Sequence, residues 1–416
     1  MSEADGEEMS QTLQARGFRP ARVPEDADAI LISTCTVRDH AEHRALSLIG
    51  SLKPWKQQDP RRVLIVAGCA AERLGESLRK RFPHVDFVAG AKSIESFPQL
   101  VERALGDRFD AMTESREAFK EADIPAASAV CSHLTIMRGC NYTCTYCIVP
   151  SVRGRELYRP AEAILKEARS KVDAGAKELL LLGQTVNSYS SEIDGSPVRF
   201  PELLRLVDKT PDLARVRFMS PHPHYVDERM MAAMAECPSV CEQLHLPAQS
   251  GSDRVLKLMR RNYTSGSLLA QAQSLRRAIP GIVLSTDIIV GFPSESDEDF
   301  ERTLSLVSEL RPASAYCFKY SPREGTESAK TQDDVPREVK EERLARLNAL
   351  CDTLTEEALK SQVGKTLEVL CEDSGFGRTR GGYKVKWSGR STPGELLKVK
   401  IAGAARRLLV GESNEP

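Results

Sequence analysis

Two short runs near the start of the chain, Ala29 to Cys35 (AILISTC) and Val63 to Cys69 (VLIVAGC), are apolar almost throughout rather than alternating. That is the pattern of parallel strands buried on both faces. Each is followed by a charged, helix-compatible stretch, so residues 1 to about 110 predict a small α/β domain. The polar segment from Asp107 to Ala129 has no apolar period and carries Pro125 and scattered acids, which predicts a linker over 111–130. From Cys131 onward β-like runs recur at Leu134–Arg138, Glu178–Gly183, Arg215–Ser220, Gln243–Pro247, Val283–Gly291 and Ala313–Tyr320, with helical patterns between them. This alternation predicts βα units and a parallel sheet, closed or partly closed into a barrel, over 131–335, with an active site at the strands' C-terminal ends. Pro336 then opens a charged helix with Leu344, Leu347, Cys351, Leu354 and Ala358 on one face, a connector over 336–362. Beyond Gly364, short runs at Thr366–Cys371, Tyr383–Trp387 and Leu396–Ile401, separated by glycine, serine and proline, predict a small C-terminal β-barrel over 363–416.

Composition narrows the class. At ~100–200 residues per domain, 416 residues predict two or three domains. With 41% hydrophobic and 28% charged residues and a net charge of -1, the chain has a soluble globular composition, and net charge alone says nothing about nucleic acid. No run approaches the ~18–20 apolar residues of a membrane span, and the acidic start (Glu3, Asp5, Glu7, Glu8) is the opposite of a signal peptide's basic region. A cytoplasmic protein with no membrane partner is expected. Eleven cysteines, an odd number without a secretion signal, predict thiols that are free or bound to metal rather than disulfide-paired.

The sharpest signal is Cys140-Asn-Tyr-Thr-Cys144-Thr-Tyr-Cys147, directly after the first of the six later strands. A structural zinc site wants four closed ligands, whereas an iron-sulfur cluster on three cysteines leaves one iron open to a substrate or cofactor. Zinc, or three incidental core cysteines, is the bland alternative. The loop resembles that of the radical S-adenosylmethionine (SAM) superfamily, whose CxxxCxxC motif binds a 4Fe-4S cluster. The likeness continues through CTYCIVPSVRGRE (Cys144–Glu156), LLGQTVNSY (Leu181–Tyr189), RVRFMSPHP (Arg215–Pro223), LHLPAQSGSDRVLKLMRRNYT (Leu244–Thr264) and TDIIVGFPSESDEDF (Thr286–Phe300). These segments resemble the methylthiotransferases, and within them the MiaB branch. Relatives acting on a ribosomal protein or on threonylcarbamoyl-adenosine tRNA carry different residues where this chain has GQTVNSY and SPHP. The resemblance covers nearly the whole chain and implies an α/β protein with a flavodoxin-like N-terminal domain, a central partial (β/α)6 radical SAM barrel and a C-terminal TRAM domain.

It also implies a reaction with two SAM molecules and two 4Fe-4S clusters. One SAM methylates a sulfur on an N-terminal cluster. The other is split at the Cys140/Cys144/Cys147 cluster, and the resulting deoxyadenosyl radical takes hydrogen from carbon 2 of an isopentenyl-modified adenosine next to the anticodon, where the methylthio group is inserted. No catalytic residue is implied beyond the cluster ligands. Gly183 and Gln184 fall where the superfamily contacts the SAM amino group, Gly291, Phe292 and Pro293 where backbone approaches its adenine, and Arg153 and Arg155 where SAM carboxylate or tRNA phosphate would lie. For each the plain alternative is a strand-end turn or a solvated charge.

Of the three cysteines the family uses for its N-terminal cluster, two are recognisable, Cys35 in ISTCTVRDH and Cys69 in AGCAAER. Met1-Ser2-Glu3 aligns with the methionine of the family's Cys-Gln-Met-Asn, so the third would lie two positions before residue 1 and the first strand would be missing; a misplaced start codon explains this. A chain that truly begins at Met1 would cleave SAM but insert no sulfur, which keeps open a non-catalytic iron-sulfur RNA-binding protein. Cys131, Cys237, Cys241, Cys317, Cys351 and Cys371 match no cluster position.

From Gly377 to Arg390 the chain carries five basic residues and no acid. Arg378, Arg380, Lys384 and Lys386 would neutralise phosphates while Tyr383 and Trp387 stack on unpaired bases of a tRNA anticodon loop, against the alternative of a solvated basic face. His222, His224 and His245 sit near strand ends as pocket candidates. An electron donor such as flavodoxin or ferredoxin, and a monomeric protein, complete the expectation. Replacing Cys144 with alanine is expected to abolish SAM cleavage. Unchanged deoxyadenosine release from that variant would remove the assignment of the loop.

Overall fold

Residues 1–37, 39–102 and 130–413 are described by a computed structural model, so that only Val130 of the expected linker is among them. The chain divides into two units, one of Met1–Ala126, Gly139–Asn141 and Cys147–Arg155, the other of Ala127–Arg138, Tyr142–Tyr146 and Glu156–Pro416.

In the first unit β1 (Ala29–Thr34), β2 (Val63–Gly68) and β3 (Phe87–Gly90) form a parallel sheet in that order. The central β2 is buried at every position, which is why its apolar run is unbroken. Its side chains alternate between two cores. Val63, Ile65 and Ala67 meet Met9 and Leu13 of the helix Ser2–Gln14, while Leu64 and Val66 meet Ile49, Trp55 and Leu78. The register sets Thr34 beside Gly68, so Cys35 and Cys69 follow neighbouring strand ends. Gly68 has φ +100°, and a Cβ there would lie 2.5 Å from the Thr34 carbonyl oxygen, so the close approach requires glycine.

In the second unit the strands are β4 (Cys131–Thr135), β5 (Met137–Arg138), β6 (Leu157–Tyr158), β7 (Glu178–Leu182), β8 (Ser190–Ile193), β9 (Ser196–Arg199), β10 (Arg215–Phe218), β11 (Gln243–His245), β12 (Val283–Val290) and β13 (Ser314–Lys319). All six expected parallel strands are present. They form two three-stranded parallel sheets, β10-β7-β4 and β11-β12-β13. A parallel bridge between Val216 and Val240 extends the first sheet toward the residues that lead into β11. Helices Ala161–Asp173, Phe200–Asp208, Glu228–Glu236, Ser265–Ala278 and Asp297–Leu310 alternate with the strands and share one large apolar core with them. The β8–β9 hairpin was not anticipated, although its Asp194-Gly195 turn, with both φ angles positive, is the usual two-residue hairpin connection.

The helix Arg337–Lys360 leads to a closed barrel of β14 (Thr366–Asp373), β15 (Phe376–Thr379), β16 (Lys384–Ser388), β17 (Leu396–Ala405) and β18 (Leu408–Ser413) in the order β14-β15-β16-β18-β17. Three of these strands were legible as runs. β15 and β18 each carry a glycine that weakens the pattern, and the barrel demands it: a Cβ on Gly377 would meet the Leu370 carbonyl oxygen at 2.0 Å, and one on Gly411 would meet Val399 Cγ1 at 2.3 Å. Among the described residues no helix is long and apolar enough to cross a membrane.

Two buried arginines of β10 fasten this barrel to the sheet. Arg215 donates to the Arg378 carbonyl at 2.6 Å and pairs with Glu368 at 2.9 Å. Arg217 donates to the carbonyls of Thr379 at 2.6 Å and Arg380 at 2.7 Å, and pairs with Glu178 at 3.0 Å. Replacing Arg217 with methionine is expected to cost about 3–5 kcal/mol, because it strands a buried carboxylate and two carbonyls. Trp387, followed by fluorescence in a Trp55→Phe background during urea unfolding, should show the loss; an unchanged midpoint would mean that other contacts hold the barrel.

Candidate active site

The backbone leaves β4 and passes Gly139, where φ is +77° and a Cβ would lie 2.0 Å from the Arg155 carbonyl oxygen. The Cys140 amide donates to the Gly154 carbonyl at 3.1 Å, which fixes the start of the cysteine loop. Its middle is tied elsewhere. The Thr145 amide and hydroxyl donate to the Met259 and Leu258 carbonyls at 3.2 and 2.9 Å, the Ser328 amide donates to the Thr145 carbonyl, and Arg261 Nη1 lies 3.2 Å from Cys144 Sγ. Cys140, Cys144 and Cys147 are half-buried and not joined in disulfides. Among the described residues no three His, Cys, Asp or Glu side chains are gathered around a single metal ion.

At the end of β7, a Cβ on Gly183 would meet Met137 Cγ at 2.5 Å, and Gln184 Oε1 is buried without a hydrogen-bond partner. A desolvated acceptor of this kind suits a donor such as an amino group, so these residues fit a SAM molecule. The next turn is braced across the sheet. The His222 amide donates to Asn187 Oδ1 at 2.7 Å and Asn187 Nδ2 donates to the His222 carbonyl at 3.0 Å. Tyr142 of the cysteine loop stacks on the His222 ring at 3.9 Å and 11°. His222 Nδ1 accepts the His224 amide proton at 3.2 Å, which puts the ring proton on Nε2, and Nε2 is buried without a partner. Burial, with the charges of Arg261 and His224 behind it, pushes this imidazole down to about 2, so it is neutral. Ser220 and Gln249, just beyond β10 and β11, hold left-handed φ angles of 62° and 67°, strain that concentrates at these strand ends.

Beyond β12 the expectation for Gly291 needs correcting. Its φ is +68°, but the group it admits is Lys340, whose Cγ would lie 2.3 Å from a Cβ, and its amide donates to Glu295 at 2.6 Å. That amide is not free for an adenine. Phe292 stands edge-on to Tyr320 at 5.2 Å and shares an apolar cluster with Val255, Met259 and Tyr146 of the cysteine loop, with Pro293 buried next to it. His245 is the last residue of β11, as expected, with Nδ1 3.0 Å from the Ser285 hydroxyl and Nε2 3.2 Å from Asp287. Cys237 and Cys241 are buried packing residues, as their positions suggested.

In the first unit Cys35 is half-buried and Cys69 is buried, each directly after its strand. Arg153 also needs correcting. Its Nε lies 3.2 Å from Cys69 Sγ and its Nη2 2.6 Å from Asp5 Oδ2, with Asp5 fully buried. Its charge is paired with Asp5 and its Nη1 is buried without a partner, so the guanidinium lies in the interior rather than at a surface where tRNA phosphate would meet it. Burial pushes the Cys69 thiol up, against the pull of Arg153.

The expected RNA residues separate by strand phase. Lys384 and Lys386 point outward on β16 and are exposed, whereas Val385 and Trp387 point inward; Trp387 lies in the barrel core and cannot stack on a base. Tyr383 is half-buried against that core. Arg380 donates to the Val240 carbonyl at 2.7 Å and pairs with Glu242 at 2.8 Å, so it serves the barrel's attachment. Arg378 pairs with Glu372 at 3.3 Å. Exposed Lys398 and Lys400 of β17 are basic positions that composition alone did not single out.

Residues 134–307 match the Radical SAM superfamily and residues 1–90 match the uncharacterized protein family UPF0004. The chain is 39% identical to the tRNA-2-methylthio-N(6)-dimethylallyladenosine synthase of Clostridium novyi (strain NT), across 99% of this chain and 94% of that protein. It is 42% identical to the protein of the same name from Porphyromonas gingivalis (strain ATCC BAA-308 / W83), across 99% and 92%. Among solved structures, the radical S-adenosylmethionine methyltransferase TsrM from Kitasatospora setae shares the fold, with a TM-score of 0.50 and 14% identity over 74% of this chain and 64% of that one.

A neutral buried His222 makes a pH prediction. Its folded value lies far below the ordinary 6.5. Between the two the unfolded chain binds a proton that the fold does not, so stability is full above about pH 6.5 and falls as the medium is acidified, by at most ~1.4 kcal/mol per pH unit. From pH 7 to pH 5 the wild type should lose about 2 kcal/mol more than His222→Gln in urea unfolding. Equal losses would show that His222 ionises within the fold.

Proposed function

Because the chain belongs to the radical SAM superfamily, and within it to the family of tRNA-2-methylthio-N(6)-dimethylallyladenosine synthases, we propose that it attaches a methylthio group to carbon 2 of a dimethylallyl- (isopentenyl-) modified adenosine next to the anticodon of tRNA. The observation that carries this reading is likeness at about 40% identity along the whole chain, which favours neither a ribosomal-protein substrate nor a non-catalytic role. The three-stranded first unit is read as the flavodoxin-like domain, the six parallel strands as a partial (β/α)6 barrel, and the closed five-stranded barrel as a TRAM domain. In this reading the protein works in the cytoplasm as a monomer.

A bound 4Fe-4S cluster with SAM supplies the electron transfer and the radical hydrogen abstraction, and a second cluster supplies the methylthio group. The chain's own residues bind and orient. Cys140, Cys144 and Cys147 would hold the first cluster. Gln184 Oε1 would accept from the SAM amino group, next to Gly183 at the end of β7. Phe292, Pro293 and Tyr146 form an apolar wall, and the stacked Tyr142 and His222 present a neutral Nε2–H donor to the pocket. Cys35 and Cys69 serve the second cluster, with Arg153 against Cys69. Lys384 and Lys386, joined by Lys398 and Lys400, face the tRNA backbone. The reductant is a one-electron carrier of the flavodoxin or ferredoxin kind.

Mass spectrometry of digested tRNA from cells lacking a methylthiotransferase tests the proposal. Expression of this chain, or of a version extended upstream of Met1 that restores a third cysteine, should convert dimethylallyladenosine to its 2-methylthio derivative, and a Cys35→Ala, Cys69→Ala variant of the productive version should still cleave SAM but give no product. Dimethylallyladenosine left unmodified by both versions would overturn the substrate assignment.

A further inference from the structure

Arg261 follows the helix Asp253–Leu258 at a point where the backbone takes a left-handed turn, Arg260 having φ 54°. Its guanidinium is held on one side by Tyr263, with Nε donating to the phenol oxygen at 2.9 Å and the guanidinium carbon 5.0 Å from the ring centroid. Tyr263 is itself fixed, because its hydroxyl lies 2.8 Å from the Pro247 carbonyl and 3.1 Å from that of Ala248, in the backbone that leaves β11. Held in this way, Nη1 is aimed at Cys144 Sγ at 3.2 Å. The loop is bound to the same turn by Thr145, through the Leu258 and Met259 carbonyls. A guanidinium N–H held against a sulfur makes its strongest bond when that sulfur is a thiolate, the form in which cysteine binds metal.

We propose that Arg261 is a positioning residue for the cysteine loop: it fixes Cys144 Sγ by a charge-assisted hydrogen bond and thereby raises the reduction potential of the cluster that Cys144 helps to hold. The inference rests on the assignment of Cys144 as a cluster ligand. When one electron passes from the flavodoxin- or ferredoxin-type donor to the cluster, negative charge on the ligating sulfurs grows and no bond is broken. A cation on one of those sulfurs favours the reduced form, as hydrogen bonds to cluster sulfur do generally. Tyr263 acts behind it, keeping the guanidinium from turning toward water.

The test is a redox titration followed by electron paramagnetic resonance on the anaerobically reconstituted full chain, in which the signal that changes on adding SAM identifies the cluster in question. Arg261→Met should leave about tenfold less cluster reduced at a fixed poise, a fall of ~59 mV for one electron. Arg261→Lys, which keeps the charge, should fall between it and the wild type. An unchanged potential in the methionine variant overturns the proposal, and so do equal shifts in the two variants, since the charge would then not be responsible. Should the methionine variant lose its cluster, Arg261→Lys and Tyr263→Phe decide, each expected to lower the potential by less; no shift in either overturns it. A wild type without iron and sulfide, or one whose signal ignores SAM, removes the ligand assignment itself, and the inference with it.

Discussion

A guanidinium taken out of water must be surrounded by acceptors, and that demand fixes much of this architecture. Arg153, Arg215, Arg217 and Arg343 are all buried, and each finds its acceptors among residues distant in sequence, although Arg153 Nη1, Arg215 Nε and Arg217 Nε make no hydrogen bond. Arg215 and Arg217 use carbonyls of the C-terminal barrel, and Arg343 uses Glu295 at 2.8 Å, the carboxylate that also receives the Gly291 amide. Arg153 uses Asp5 and Cys69. Each pairing rules out alternative packings more strongly than apolar contact does, because slippage would leave a bare charge in a dry interior.

Parallel pairing supplies the other half of the design. Strands that all run the same way deliver their C-terminal ends to one edge, and the chemistry-bearing groups of the second unit emerge there: Gln184 after β7, His222 after β10, Phe292 after β12 and Tyr320 after β13. The glycines at 183 and 291 belong to the same edge, where backbone and side chains crowd. Gly183 makes room for Met137, and Gly291 for Lys340.

What could be read from the chain follows the range of the forces involved. The six central strands were legible because short β-like runs alternate with helical patterns along the chain, and the cysteine loop because its ligands are neighbours in sequence. Arg261 and Asp5 were not legible, since their partners lie 117 and 148 residues away and nothing local marks the pairing. Trp387 shows a different kind of miss. Lys384 and Lys386 alternate with Val385 and Trp387, so the phase of the strand already separated an outward basic set from an inward apolar one, but composition had grouped them. Strands β15 and β18 were hidden because the glycines that let the barrel close also dilute the β signal.

The double fastening of the C-terminal barrel by Arg215 and Arg217 makes it a fixed arm rather than a tethered hand. In the proposed role, a nucleic acid gripped by the lysines of β16 and β17 is held at a set distance from the strand ends. Selection among nucleotides is then partly a matter of length, with the protein acting as a ruler that admits whichever base the fold of the RNA places at the end of that span.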